Sequence, residues 1–435
     1  MSSVRVPKMA ARFFTRLKSL APQPKYCQKV RSTYITVPTK SSCDSRITPI
    51  SCACGHLRYF SAGKRVFPSR SASRRCVVEK RGCIRPVRCC TYGANSDRNN
   101  RCYSTSIGSK ESYDAEANVK LRLSGLCGRI KHELNTSVKT LQRVSHYYFD
   151  GKGKYIRPRI VLLMAAATNY HSHRSRVILH DQETAAMISE MIHTASLIHD
   201  DVIDRADTRR GKVAINLMYG DKNCILAGDY ILSRVSLAIA RFGNVEAVKL
   251  LAEIVDELVR GEFMQLGSKE NPDERFTHYL KKTYKKTASL IACCCKTAVL
   301  LGDSPPDIQD IAFQYGRNVG IAFQLVDDVL DFVSSKQEMG KATAADLKLG
   351  LATAPVLFAC EKFPDLNSLV MRRFKEPGDV EQAFDAVYQS DGISRTYDLA
   401  NQYAKEALRQ VNKLDSSPER QAIINITHKI LNRRN

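Results

Sequence analysis

The chain has 435 residues and a formal net charge of +23. That length is enough for a large core, and no run approaches the ~18 apolar residues that mark a membrane span, so we expect no transmembrane span. The charge is lopsided: residues 1–110 hold 23 Lys and Arg against 3 Asp and Glu, while 111–435 are nearly balanced. The excess is therefore no sign of nucleic-acid binding by the globular part.

At the start of the chain, Arg5, Lys8, Arg12, Arg16 and Lys18 alternate with Val6, Met9, Phe13, Phe14 and Leu17, and the first acidic residue is Asp44. An Arg-rich, acid-poor, amphipathic start describes an organellar presequence, and we expect residues 1–40 to be a mitochondrial targeting segment. A disordered basic tail has the same composition. Residues 41–110 are basic and rich in Cys and Ser without a helical or strand period, which predicts a disordered leader. Nine of the 15 cysteines fall in residues 1–110. Their C-x-C and C-C spacings do not repeat as paired C-x2-C units, which speaks against zinc. Nothing points to export, which speaks against a disulfide framework.

From residue 111 the pattern turns helical almost throughout. Leu121, Leu126, Ile130 and Leu134 predict one helix. An apolar run over 160–167 follows Pro158, a residue suited to a helix start. Met187, Ile188, Met191, Ile192, Ala195 and Ile198 form the buried stripe of a helix over 183–199. Further helices fit 223–241, 245–266, 273–301, 308–333, 353–362, 380–389, 394–414 and 418–431, with short Gly, Pro or Asp breaks between them. Cys293, Cys294 and Cys295 lie in an apolar helical run and read as core. The fold class is all-α: one helical bundle over 111–435, with its site between facing helices.

Two stretches carry the chemistry. Asp200-Asp201-Val202-Ile203-Asp204 and Asp327-Asp328-Val329-Leu330-Asp331 both have the form D-D-x-x-D. Residues four apart share a helix face. Asp200 pairs with Asp204, and Asp327 with Asp331. Such carboxylates repel unless a cation lies between them. Hard oxygen ligands favour Mg2+, which commonly bridges carboxylates to substrate phosphates. A lone motif of this kind also fits a solvated acidic face; two copies in apolar helices point to a metal-clamped diphosphate.

Basic elements accompany them. Gly151-Lys152-Gly153-Lys154-Tyr155-Ile156-Arg157-Pro158 puts flexible backbone and cations before a helix, where they can pair with phosphate oxygens. Arg209-Arg210-Gly211 reads as a basic helix end, or as a second clamp beside the acidic motif. His193 lies two turns before Asp200, either as a structural histidine or facing the same ligand. Lys286-Thr287, Gln324 and Lys341 say little alone.

The ordered set G-K-G-K-x-x-R-P, H-x5-H-D-D-x-x-D-x4-R-R-G, K-T, F-Q-x-x-D-D-x-x-D and G-K resembles the trans-isoprenyl diphosphate synthases, and among them the long-chain polyprenyl synthases. The resemblance covers residues 111–435. It implies an isoprenoid-synthase-type bundle around a central cavity. It also implies a Mg2+-dependent prenyltransferase that adds isopentenyl diphosphate to an allylic diphosphate such as farnesyl or geranylgeranyl diphosphate. By this resemblance Lys154, Arg157, His193 and Arg210 hold the diphosphate of isopentenyl diphosphate. Asp200, Asp204, Asp327 and Asp331 are Mg2+ ligands, supported by Asp201 and Asp328. Arg209, Lys286, Thr287, Gln324 and Lys341 contact the allylic diphosphate. Many relatives have Lys after the glycine at position 350; here it is Leu351, so one cation of the usual set is missing. The resemblance further implies a second synthase subunit in a heterotetramer, and a decaprenyl or nonaprenyl product for the ubiquinone side chain.

Sterics bear on product length. If the growing chain runs along the helix of the first motif, Ala195 and Ser196 leave its path open where an aromatic side chain would block it. Ala195 equally suits close helix packing. Other readings remain: a class I terpene cyclase shares the first motif but needs no second substrate site. An HD-type phosphohydrolase could use His199-Asp200, though the ligand set here is nearly all carboxylate. A non-catalytic or partner-dependent subunit would not need both motifs intact.

Overall fold

The structure is a computed structural model that describes residues 113–151, 153–266, 271–339 and 344–433. The expected presequence and leader, and Lys341, lie outside the described residues. Among the described residues the regular structure is helical but for one two-stranded hairpin.

The expected first helix is two: α1 (Ala115–Ser124) and α2 (Leu126–Glu133). Gly125 separates them, and Leu121 is 74% exposed instead of sharing the buried stripe of Leu126 and Ile130. The apolar period runs on across the break, which hid it. Asp114 caps α1 through bonds from the N–H groups of Glu116 and Ala117. After α3 (Lys139–His146), α4 (Ile156–His173) begins with Pro158 in its first turn, where a missing N–H costs nothing.

Helix α5 (His180–Ile203) carries the first acidic motif to its C-terminal end. It packs on α7 (Asp221–Ala240), reached through the hairpin β1 (Thr208–Arg209) and β2 (Lys212–Val213) and the short α6 (Ile215–Tyr219). A Cβ at Gly228 of α7 would lie 2.2 Å from the His199 ring, so the ring keeps this position only over a glycine. Among the described helices α7 alone is long and apolar enough to cross a membrane. Here it packs in the bundle, with Cys224, Ala227, Ile231 and Val235 buried.

Helix α8 (Val245–Leu266) leads to α9 (Pro272–Thr283), a π-helical turn (Tyr284–Ala288) and α10 (Ser289–Leu300). Nearly every residue of α10 is buried, Cys293, Cys294 and Cys295 included. A helix apolar all round belongs at a bundle's centre, and α10 touches α4, α5, α8 and α11 (Pro306–Met339). The approach of α11 depends on two glycines. A Cβ at Gly316 would meet the backbone of Ala292 at 2.6 Å, and one at Gly320 the Cα of Ala288 at 2.5 Å. Gly316, Gly320, Gln324 and Asp328 share one face at four-residue spacing. The close approach thus sets the second acidic motif against the π turn.

A smaller core joins the end of α11 to α12 (Ala345–Lys348), α13 (Ala354–Lys362), α14 (Leu366–Met371) and α15 (Asp379–Gln389). Helix α16 (Gly392–Val411) lies along α11, and α17 (Pro418–Leu431) returns the chain to α4.

Candidate active site

The first motif closes α5, with Asp204 as its C-cap. Carboxylates at a helix C-terminus oppose the macrodipole, so cations are needed close by. Lys286 and Arg209 act on both Asp200 and Asp204. Burial pushes the Asp200 carboxyl up to about 6; Lys286 pulls it down, and Glu262 and Asp204 push it further up. Asp201 is fully buried. It accepts from the Tyr148 hydroxyl and from Arg209 Nε at 2.7 Å. The same Tyr148 oxygen accepts the N–H of Ile215 at 3.0 Å.

The second motif follows a similar plan. Asp328 is 1% exposed and accepts from the Tyr279 hydroxyl and from Gln324 Nε2 at 3.0 Å. Burial lifts its carboxyl to about 6 against those bonds and the nearby Lys282. Asp331 accepts the backbone N–H groups of Ala345 at 3.0 Å and Asp346 at 3.1 Å. Asp327 pairs with Arg433, which also donates to the Phe323 carbonyl at 3.2 Å and lies 4.0 Å from the Phe323 ring centroid. Asp327 and Asp331 thus have separate partners.

The π turn joins the two motifs. Lys286 pairs with Glu262 and acts on Asp200 and Asp204. Its neighbour Thr287 donates to Gln324 at 2.9 Å, one turn before Asp328. The turn fits closely because α8 has glycine at 261, where a Cβ would lie 2.8 Å from Lys286 Cγ. π turns are rare and frequent at functional sites.

The basic elements meet in a cavity of about 760 Å³. Lys154 and Arg157 come from the start of α4, His193 from α5 and Arg210 from the hairpin; Phe323, Lys429 and Arg433 complete the far side. Arg157 Nε is buried with no hydrogen-bond partner among the described residues. Burial holds the His193 ring well below its ordinary value, and Arg157, Arg210 and Arg209 lower it further. It is a neutral imidazole among cations.

Several expectations need correction or extension. Arg209 and Arg210 do not end a helix: Arg209 pairs with Lys212 in the hairpin, and Arg210 and Gly211 turn it with φ of 53° and 71°. Two positive φ values match the twist of such a turn, but Arg-Gly lacks the usual Asn-Gly signal. Ala195 is fully buried, and the Ser196 hydroxyl donates to the His193 carbonyl at 2.9 Å. Leu351 borders a small cavity of about 70 Å³ that Arg275, Lys282 and Arg373 also line, so this end is not short of cations. Sequence reasoning missed Arg433, whose only signal was a basic chain end. It also missed Asp346, pushed up to about 7 by burial and by Asp328 and Asp331.

A helical bundle with two D-D-x-x-D motifs and a basic cavity defines a class, and the comparisons agree. The chain belongs to the polyprenyl synthetase family, which it matches over residues 138–387; these are prenyltransferases. It is 57% identical to the human all trans-polyprenyl-diphosphate synthase PDSS1 over 311 residues, 72% of this chain and 75% of that one. It is 40% identical to the decaprenyl-diphosphate synthase subunit 1 of Schizosaccharomyces pombe over 73% of this chain and 90% of that one. Relatives from Neurospora crassa and rice are named as mitochondrial. The crystal structure of polyprenyl synthase from Caulobacter crescentus, complexed with calcium and isoprenyl diphosphate, superposes with a TM-score of 0.65 at 25% identity, covering 75% of this chain and all of that one. Such neighbours share the all-helical isoprenoid synthase fold.

Proposed function

We propose that the chain is a Mg2+-dependent long-chain trans-polyprenyl diphosphate synthase that adds isopentenyl diphosphate to an allylic diphosphate, making a decaprenyl or nonaprenyl side chain for ubiquinone. The observation that carries this reading is the convergence of Lys154, Arg157, His193 and Arg210, from three separate elements, on one cavity. A buried guanidinium nitrogen without an acceptor fits an anionic guest.

The donor set fits the metal. It is all carboxylate, and among the described residues no three His, Cys, Asp or Glu side chains cluster as a ready-made site. A hard ion that completes its shell from diphosphate oxygens suits such a set. Asp200, Asp204, Asp327 and Asp331 would hold it, and when bound it neutralises charge on the departing pyrophosphate.

The protein's own residues do the rest. Lys154, Arg157 and Arg210 grip the diphosphate of isopentenyl diphosphate, and His193 contributes hydrogen bonding without charge. Lys286, Thr287, Gln324, Arg209 and Lys341 attend the allylic diphosphate. The allylic C–O bond breaks, the isopentenyl double bond forms the new C–C bond, and the proton lost goes to released pyrophosphate. The reaction requires that water, which would capture the cation, be kept from it.

The reading includes a mitochondrial location, supported by the basic N-terminus and the names of relatives. It also includes a second synthase subunit. Leu217, Met218, Ile225, Leu226, Leu237 and Phe263 on α6 to α8 are exposed, apolar area of the kind a partner subunit covers.

The test incubates the purified chain, with and without a candidate partner subunit, with labelled isopentenyl diphosphate, farnesyl diphosphate and Mg2+. A product of nine or ten isoprene units that disappears on chelation is expected. Absence of any condensation in both arms would sink the proposal.

A further inference from the structure

An acid stands inside the basic cavity. Glu190 lines it, is 3% exposed and lies one turn before His193 on α5. Its Oε1 is 3.6 Å from Arg210 NH2. Arg157 is its second cationic neighbour, and Arg157 and Arg210 also repel each other. A carboxylate in a site for a diphosphate lowers affinity by plain Coulomb repulsion. Its presence calls for a compensating role.

Three details point to that role. The two guanidinia sit on independent elements, Arg157 in the first turn of α4 and Arg210 at the tip of a two-residue turn. Arg210 holds a left-handed backbone, φ 53°, which a non-glycine residue keeps only when its surroundings fix it. Each guanidinium has five donors, so Arg210 can turn one edge to Glu190 and keep the others for the cavity, while Arg157 is drawn to the same carboxylate only through its charge. The hairpin is anchored on its other side by Lys212 with Asp150 and by the Tyr147 hydroxyl donating to the Val213 carbonyl at 2.9 Å.

We infer that Glu190 is a positioning residue: it ties the tip of the hairpin to α5 and sets the spacing of Arg157 and Arg210 for the two phosphates of isopentenyl diphosphate. This rests on the function proposed above. It makes a prediction opposite in sign to simple electrostatics. Removing the negative charge weakens binding of an anion.

The experiment is calorimetric titration of the full chain with isopentenyl diphosphate, without allylic substrate, comparing wild type with Glu190→Gln, Arg210→Met and the double variant, alongside steady-state kinetics and melting curves. Glu190→Gln is expected to weaken binding about fivefold, the scale of a partly exposed ion pair. KM for isopentenyl diphosphate should rise in parallel, with kcat at saturation within about threefold. In the Arg210→Met background the same change should have no effect or tighten binding, since mainly repulsion is left to remove. Glu190→Asp should restore part of the loss. Unchanged or tighter binding in the single variant overturns the positioning role and leaves the synthase reading intact. Failure of the wild-type chain to bind isopentenyl diphosphate at all overturns the cavity assignment, and this inference with it.

Discussion

The hydroxyl of Tyr148 donates to Asp201, the middle carboxylate of the first acidic motif, and accepts the Ile215 N–H. The Tyr279 hydroxyl likewise donates to Asp328, the middle carboxylate of the second. In each motif the central aspartate is a buried anchor. Tyr148→Phe would strip Asp201 of one donor and leave the Ile215 N–H without its acceptor. A loss of about 1–3 kcal/mol of stability is expected for buried groups left unpaired. A lowered melting temperature, together with reduced turnover at saturating substrates, checks it; an unchanged melting curve counts against the anchor.

Arg433 lines the basic cavity and pairs with Asp327. Replacing it with alanine removes one cation from the diphosphate's surroundings. KM for isopentenyl diphosphate should rise roughly tenfold, in line with one charge-assisted hydrogen bond, while the allylic KM moves less. Equal shifts in both constants would place Arg433 elsewhere in the cycle.

The neutral His193 sets a pH dependence. Its folded-state pKa lies well below the ordinary value, chiefly from burial, and the unfolded chain titrates near ~6.5. Below that pH the unfolded state takes up a proton that the folded state refuses, so stability falls as the solution is acidified. His193→Gln should lose less of its melting temperature between about pH 7 and pH 5 than the parent, measured without ligand. Parallel melting profiles would show that this ring does not contribute.

A second acidic-side effect has the opposite origin. Burial alone would raise the Glu133 carboxyl, but Arg241 and Arg234 outweigh it and hold it below its ordinary value. A depressed folded-state pKa gives stability that is present above the unfolded value of ~4.3 and is lost below it. Glu133→Gln should flatten the melting profile only below about pH 5. The two variants therefore act in separate pH windows, and one melting series distinguishes them.

Ala195 is fully enclosed on α5, in the helix that ends at the first motif. Ala195→Phe should shorten the main product by several isoprene units. It should also lower stability by about 1–3 kcal/mol through overpacking. Chromatography of dephosphorylated products settles it, and a product distribution like the parent's would remove Ala195 from the path of the chain.

The helices were legible beforehand, because apolar stripes with a 3.6-residue period mark buried helix faces, and the two aspartate motifs stood out by their four-residue spacing. What escaped depended on contacts between distant segments. The apolar period of the first helix continues past Gly125, yet packing exposes Leu121. Arg210 occupies a turn position that local preference assigns to Asn or Gly. Glu190 reads as one polar residue on a helix, and only the fold sets it beside Arg210. Arg433 is separated from Asp327 by 106 positions. None of these has a local signature.

The five-residue π turn at Tyr284–Ala288 has one further consequence. Such a turn is an α-helix carrying one surplus residue, so its register relative to α10 rests on chain length alone. Removing a single residue there would swing Lys286 and Thr287 around the axis by about 100°, away from the partners each now faces. Loops elsewhere in the chain can absorb insertions; this stretch acts as a fixed gauge between two halves of one reaction centre.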